Sequence, residues 1–314
     1  MSMISFVIPC YCSELTIEMV VAEIIDTMSL RKEFDYEIIC VNDASPDDVL
    51  TVLKKMASNN HKIKVIDLAR NFGKHAAVMA GFSKVKGDYI VCLDDDGQCP
   101  MDHLWDLMAP VLENRADYTM AKYSRKKQSA FKNMGSKFNS WMSHVLINKP
   151  KDLRFTNFKV IKRFVVDEML KYNNPYPYIE GLTLRTTRNI VTVPMEERER
   201  AVGEGHFTFR KSLALLMNGF TAFSVKPLRV SSVLGIILAF IGFIYGIFIV
   251  IKRIMNPGMT LGYSSTMAVI LFIGGMLMLI LGLIGEYIGR IYICLNNSPQ
   301  YVIRESQNFD EIEG

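Results

Sequence analysis

Tyr89-Ile90-Val91-Cys92-Leu93-Asp94-Asp95-Asp96 joins a short apolar run directly to three consecutive carboxylates. The apolar part has the length and the β-rich make-up of a strand buried on both faces. The acidic part cannot stay in a core, so the strand ends there. The pattern recurs upstream. Ile4–Ile8 runs into Pro9–Glu14, Glu37–Val41 into Asn42-Asp43-Ala44-Ser45, and Ile63–Leu68 into Arg70-Asn71-Phe72-Gly73. Between these runs lie helical patterns over Thr16–Met28, His75–Val85 and Met101–Leu112, with another opened by Pro46, Asp47 and Asp48. Strands alternating with helices predict an α/β fold with a mostly parallel sheet covered on both faces. Ligands in such sheets bind at the carboxyl ends of the strands, where the polar residues gather.

Three adjacent carboxylates repel one another unless a cation sits among them. Hard oxygen donors suit Mg²⁺ or Mn²⁺, which commonly bridge to substrate phosphates. The cluster Asp94-Asp95-Asp96 is therefore put forward as a metal site, with Asp43 in register after another strand. A solvated acidic turn is the alternative. Neither GxxxxGK[ST] nor GxGxxG occurs, which excludes a P-loop or dinucleotide fingerprint. Lys122, Arg125, Lys126 and Lys127 form one basic cluster, and Arg198 and Arg200 another, followed by Gly203, Gly205 and His206. Such groups clamp phosphates or simply face water. His61, His75, His103 and His144 have no metal-ligand spacing and read as surface or supporting residues.

The 314 residues are 50% hydrophobic and 22% charged, and their net charge of +4 is too small to argue for nucleic acid as a partner. Six cysteines (10, 12, 40, 92, 99 and 294) form no CxxC pair and no zinc spacing, so reduced thiols are expected. The mean hydropathy of +0.17 is concentrated near the end of the chain. Val230–Ile251 is uncharged, and Met267–Ile288 holds only Glu286. At about 1.5 Å per residue each is long enough for a bilayer core of about 30 Å. Asn256-Pro257-Gly258 between them is a turn signal, so the two runs are expected to form a transmembrane hairpin with both ends on one side. Their glycines permit close helix packing and invite association into a homo-oligomer. His206–Met217 reads as an amphipathic helix lying in the interface. The start of the chain does not read as a signal peptide, so the large N-terminal part is expected in the cytosol. The predicted divisions are 1–205 for a catalytic domain, 206–229 for the juxtamembrane segment, 230–290 for the hairpin and 291–314 for a cytosolic tail. The hairpin is expected to serve acceptor use and not donor binding.

Val7-Ile8-Pro9-Cys10-Tyr11-Cys12-Ser13-Glu14, Val41-Asn42-Asp43-Ala44-Ser45, Asn71-Phe72-Gly73-Lys74-His75-Ala76-Ala77, Leu93-Asp94-Asp95-Asp96-Gly97-Gln98 and Gly285-Glu286-Tyr287-Ile288-Gly289-Arg290 occur in this order. Together they resemble the family 2 glycosyltransferases, and within them the group acting on polyprenyl phosphates, which includes dolichyl-phosphate mannose synthase and undecaprenyl-phosphate sugar transferases. The resemblance covers nearly the whole chain. It implies a GT-A-like domain that transfers a sugar, with inversion, from a UDP- or GDP-linked donor to a polyprenyl phosphate at the inner, cytoplasmic membrane. By position it implies Pro9, Glu14, Asp43, Asp94 and Lys122 as nucleotide-sugar contacts. It also implies Asp94 and Asp96 with Mg²⁺ or Mn²⁺ at the diphosphate, Asp96 as catalytic, and Arg200, Arg198 and Arg125 at the acceptor phosphate. Asn157 stands where many members carry an aspartate proposed as the base. Cys12 stands where asparagine is usual and Ala44 where glycine is usual. A glycan synthase of the same superfamily is a second reading, which the lack of a QxxRW motif disfavours. A non-catalytic partner of a flippase is a third, disfavoured by the acids at 43, 94 and 96.

Overall fold

The computed structural model describes residues 2–123, 153, 155–196, 198, 226–255, 262–296 and 298–309. Its strands are β1 (Ser2–Cys10), β2 (Phe34–Asn42), β3 (Ile63–Leu68), β4 (Tyr89–Cys92), β5 (Tyr118–Tyr123), β6 (Lys159–Lys162), β7 (Ile190–Met195) and β8 (Ile303–Gln307). They form one eight-stranded sheet in the order β7-β5-β6-β4-β1-β2-β3-β8. The central ladder β4-β1-β2-β3 is parallel, as the alternation of strands and helices predicts. The flanks are mixed, because β6 runs antiparallel to β4 and β5, and β8 antiparallel to β3.

The period-2 geometry of a strand divides the core in two. Ile4, Phe6 and Ile8 of β1 point to one layer, built by α1 (Ile17–Ser29), α2 (Val49–Asn59) and α4 (Leu104–Leu112). Val7 between them points to the other layer, built by α3 (Lys74–Phe82), α5 (Arg163–Leu170) and α6 (Ile179–Thr186). Helix α3 lies close on the sheet because its inner face is small. A Cβ added to Gly81 would stand 2.4 Å from Val7 Cγ1 and 3.3 Å from Val41 Cγ2. That close approach brings the start of α3, and the loop before it, to the carboxyl edge of the central strands.

Two long helices follow, α7 (Lys226–Met255) and α8 (Tyr263–Leu295). They contain both apolar runs, and they touch each other. Among the described residues, Phe272–Leu295 is long and apolar enough to cross a membrane, whereas the apolar stretch of α7, Gly235–Phe248, is shorter. One crossing helix thus passes on length and composition where two were expected. Ile236, Phe240, Phe243, Phe272, Leu281 and Ile288 stand exposed along the pair, which is the surface of helices built for lipid or for a partner. The interface helix expected over 206–217 lies outside the described residues.

The chain end departs from expectation. The segment read as a cytosolic tail returns to the sheet, and β8 covers the outer edge of β3. Tyr301, Ile303 and Phe309 pack against the second core layer, and Asn308 Nδ2 donates to the carbonyls of Ala57 (2.7 Å) and Ile63 (2.8 Å). An edge that would otherwise expose unpaired backbone groups is closed.

Candidate active site

The loops after β1, β2, β3 and β4 meet at one end of the sheet. Asp43, just past β2, is buried, and both its carboxylate oxygens accept backbone N–H groups, Phe72 at 2.7 Å and Gly73 at 2.8 Å. Burial pushes its carboxyl above the ordinary carboxylate range, and the two N–H bonds pull the other way. Asp43 thereby pins the loop that begins α3, and Asn71 Nδ2 donates back to the Asp43 carbonyl at 3.1 Å. The loop after β1 is fastened to the loop after β2. Cys12 N donates to Ser45 Oγ (2.7 Å), Glu14 N to Asp47 Oδ2 (3.0 Å), and Asp48 N to Glu14 Oε2 (2.9 Å). Glu14, expected at the nucleotide, has a carboxylate oxygen on the amide of Asp48, the residue that precedes α2. Pro9 sits on β1 beside Val41 of β2.

Cys12 and Ala44 have φ of 56° and 48°. These are left-handed conformations, which asparagine and glycine adopt at least cost. The departures at Cys12 and Ala44 therefore fall on backbone positions where the family's usual residue would cost least.

The acidic cluster after β4 does not form a cage. Asp94 binds the Lys74 ammonium through Oδ1 and the Asn157 amide through Oδ2, the latter at 2.6 Å. Asp95 turns back under the first loop, where its Oδ2 accepts Tyr11 N at 3.0 Å and its carbonyl accepts Thr16 Oγ1 at 2.6 Å. Desolvation raises the Asp95 carboxyl, opposed by that backbone bond. Asp96 Oδ1 accepts Gln98 N at 3.1 Å across a turn in which Gly97 has φ 75°. The three carboxylates are thus held by different partners, Asp94 by Lys74 and Asn157, Asp95 by the first loop and Asp96 by the turn at Gly97. Among the described residues no three His, Cys, Asp or Glu side chains are grouped to hold a metal. Asp94 and Asp96 fit instead an ion that takes one or two carboxylates and completes its shell with substrate phosphate and water.

The basic residues separate. Arg198 turns away from an open clamp. Its guanidinium binds Glu23 of α1 through Nη1 (2.9 and 3.1 Å) and Asp102 through Nη2 (2.6 Å), so it ties this segment to the domain, where an acceptor-phosphate role was expected. Lys122 lies exposed on β5. Arg125 and Arg200 lie outside the described residues. Asn157 reaches the site, through Asp94.

Two neighbouring residues, Lys74 and His75, stand at the site without a binding or catalytic role read from the sequence. Lys74 opens α3 and meets Asp94. The signal was present as a lysine directly after the glycine of Asn71-Phe72-Gly73. His75, the next residue, packs edge-on against Tyr178 and stands 3.9 Å from Glu180 of α6. Burial lowers its imidazole below the ordinary value, although Glu180 pulls the other way.

Residues 5–168 match the family description "Glycosyl transferase family 2", and residues 226–291 match "GtrB C-terminal hairpin". The chain belongs to glycosyl transferase family 2. This family 2 member is 30% identical over 306 residues to the SfII prophage-derived bactoprenol glucosyl transferase of Shigella flexneri, covering 96% of this chain and 98% of the relative. It is 29% identical over 310 residues to the undecaprenyl-phosphate 4-deoxy-4-formamido-L-arabinose transferase of Proteus mirabilis, covering 96% and 93%. Its fold is similar to that of Mycobacterium tuberculosis glucosyl-3-phosphoglycerate synthase, solved with Mn²⁺, UDP and phosphoglyceric acid. That likeness has a TM-score of 0.51 at 17% identity and covers 69% of this chain and 75% of that one. The GT-A-like fold implied by the sequence motifs is the fold observed.

Proposed function

We propose that this family 2 glycosyltransferase moves a sugar, with inversion, from a nucleotide sugar to a membrane polyprenyl phosphate. The observation that carries the reading is the joint presence of the donor loops at the carboxyl ends of the central strands and a match to the GtrB hairpin later in the chain. Two full-length relatives named for bactoprenol and undecaprenyl-phosphate transfer support the acceptor. The donor is a UDP- or GDP-linked sugar. The relative whose structure holds UDP and Mn²⁺ supports a nucleoside diphosphate and a divalent ion, Mg²⁺ or Mn²⁺. The apolar pair is read as a multi-pass anchor in the cytoplasmic membrane, with the sheet domain on the cytosolic side.

In this reading the end of β1 and the loops after β1 and β2 hold the nucleoside through Pro9, Glu14 and Asp43. The Asp43 oxygens keep accepting capacity beyond their two backbone bonds. Asp94 and Asp96 would hold the ion, which supplies positive charge to the leaving diphosphate. Lys74 adds a fixed ammonium beside Asp94, where negative charge builds on the leaving oxygens. Asn157 keeps the Asp94 carboxylate in one orientation. An amide cannot accept a proton at neutral pH, and none is needed from it. A phosphate monoester has its second pKa near about 6 and already presents a dianionic oxygen at pH 7. Arg125, Arg200 and Lys122 are the proposed partners of that acceptor phosphate. The anchor confines both reactants to the membrane surface, which raises the encounter frequency without adding a contact.

The test is Asp96→Ala in the full-length chain. Transfer is expected to fall almost to nothing with the melting temperature unchanged, and chelation of divalent ions is expected to stop the wild type. Wild-type turnover in the variant that also resists chelator would refute the ion at Asp96.

A further inference from the structure

Strand β8 does more than close an edge. Its pairing with β3 runs Asp67 to Glu305 and then Leu68 to Ile303, so Arg304 is the extra residue at a bulge. A bulge re-aims the side chain it carries. Here the Arg304 guanidinium turns onto β3, with Nη1 3.2 Å from Asp67 Oδ2 and Nη2 donating to the Ala69 carbonyl at 2.7 Å. Asp67 is a buried carboxylate on a strand next to the donor loops. Its other oxygen accepts Asn42 Nδ2 at 2.8 Å. Asn42 Oδ1 in turn accepts Ser45 N at 3.1 Å, and Ser45 Oγ joins Cys12 N to Asp47, which holds Glu14 N. The Ala69 bond grips the other branch, because Asn71, Phe72 and Gly73 follow shortly after and are bonded to Asp43. One guanidinium thus ends a continuous hydrogen-bond network through the loops after β1, β2 and β3.

We propose that Arg304 is a positioning residue of the donor site, and that the strand following the membrane hairpin is a working part of nucleotide binding. The proposal rests on the reading of these loops as the nucleoside contact. Its physical basis is that a buried carboxylate deprived of its cation must protonate, hydrate or move. Each of these shifts Asn42, and with it the Ser45 amide. Lysine would keep the charge but cannot hold Asp67 and the Ala69 carbonyl at once in the geometry of a fork. The helix α8 ends at Leu295 and β8 begins at Ile303, so the connecting chain spans at most about 25 Å when extended. The hairpin is therefore leashed to the donor side of the sheet. A chain ending near Phe223 would lack β8 and is expected to bind donor poorly, against the expectation that the hairpin region matters for the acceptor alone.

The experiment is calorimetric titration of the full-length protein in detergent with UDP and with GDP, each at a temperature well below the melting point of every variant. Arg304→Ala is expected to weaken the nucleotide that binds wild type by about tenfold, the loss of a charged hydrogen-bonded contact. Arg304→Lys should fall between the two. Asn308→Ala anchors the same strand at its far end, away from the loops, and should stay within about twofold of wild type. Wild-type affinity in Arg304→Ala overturns the proposal. So do equal losses in Arg304→Ala and Asn308→Ala that track lowered melting temperature, since β8 would then act only on stability. If Arg304→Ala does not fold, Arg304→Lys decides, with unchanged affinity counting against the proposal. A wild type that binds neither UDP nor GDP overturns the donor reading itself, and the proposal with it.

Discussion

Replacing Asn157 by alanine removes one contact whose value can be worked from the structure. The amide donates to Asp94 Oδ2 at 2.6 Å, and Asn157 is exposed while Asp94 is half-buried. A hydrogen bond to a charged acceptor contributes about 1.5–3 kcal/mol when shielded, and at an exposed site water replaces part of it, leaving about 1 kcal/mol. If the amide only orients Asp94, transfer should slow roughly fivefold, with donor affinity little changed. Removing Asp94 itself is a different perturbation. It frees both the Lys74 ammonium and the amide, and it deletes a proposed ion ligand, so a loss on the order of a thousandfold is expected. The assay is initial-rate transfer from a radiolabelled nucleotide sugar to undecaprenyl phosphate, with donor and acceptor binding measured for each variant. Losses of equal, near-total size in Asn157→Ala and Asp94→Ala, with binding intact, would refute the reasoning. They would give position 157 a chemical role of its own.

Ala44→Gly should raise the melting temperature, because relieving a left-handed alanine at φ 48° returns about 1 kcal/mol less the extra entropy of glycine in the unfolded chain. A lowered melting temperature would show that this backbone carries no strain. Gly81→Ala should destabilise by about 1–3 kcal/mol through overpacking against Val7. Adding Val7→Ala should recover part of that loss, and additive losses in the double variant would contradict the close approach of α3. For Asp43→Asn the informative quantity is the stability difference from wild type as a function of pH. Burial raises the folded Asp43 pKa above its unfolded value, so the native wild type binds the extra proton first as pH falls. Wild type should therefore gain on the variant as pH drops through the window between the folded and unfolded values, and lose ground as pH rises through it. A difference that stays flat with pH, or changes in the opposite sense, would contradict the burial argument.

The central ladder was legible because its strands are short, apolar on both faces and each followed by polar loop residues. Ile63–Leu68 is placed as expected, and the other three strands within a few residues. Strand β8 was hidden for a physical reason. Ile303-Arg304-Glu305-Ser306-Gln307 is polar, sits at an edge and is held by backbone pairing and by ion pairs to residues far away in sequence. Short β6 and the small helices α5 and α6 likewise depend on tertiary packing more than on local pattern. The site was legible as a list of residues, and less so as geometry. Clustering in sequence suggested that Asp94, Asp95 and Asp96 act together, yet the turn at Gly97 and the loop contacts divide them. Arg198 looked like a phosphate clamp, but Glu23 and Asp102 approach it from elements that local sequence does not connect.

The most direct test of the account is whether the full-length protein, reconstituted in bilayers containing undecaprenyl phosphate and supplied with Mn²⁺ or Mg²⁺, converts a radiolabelled UDP- or GDP-sugar into a product extractable by organic solvent. The account predicts lipid-linked label from at least one donor, dependent on undecaprenyl phosphate and abolished by Asp96→Ala. Donor turnover that leaves all label in water, or lipid-linked label at the wild-type rate from Asp96→Ala, would contradict it.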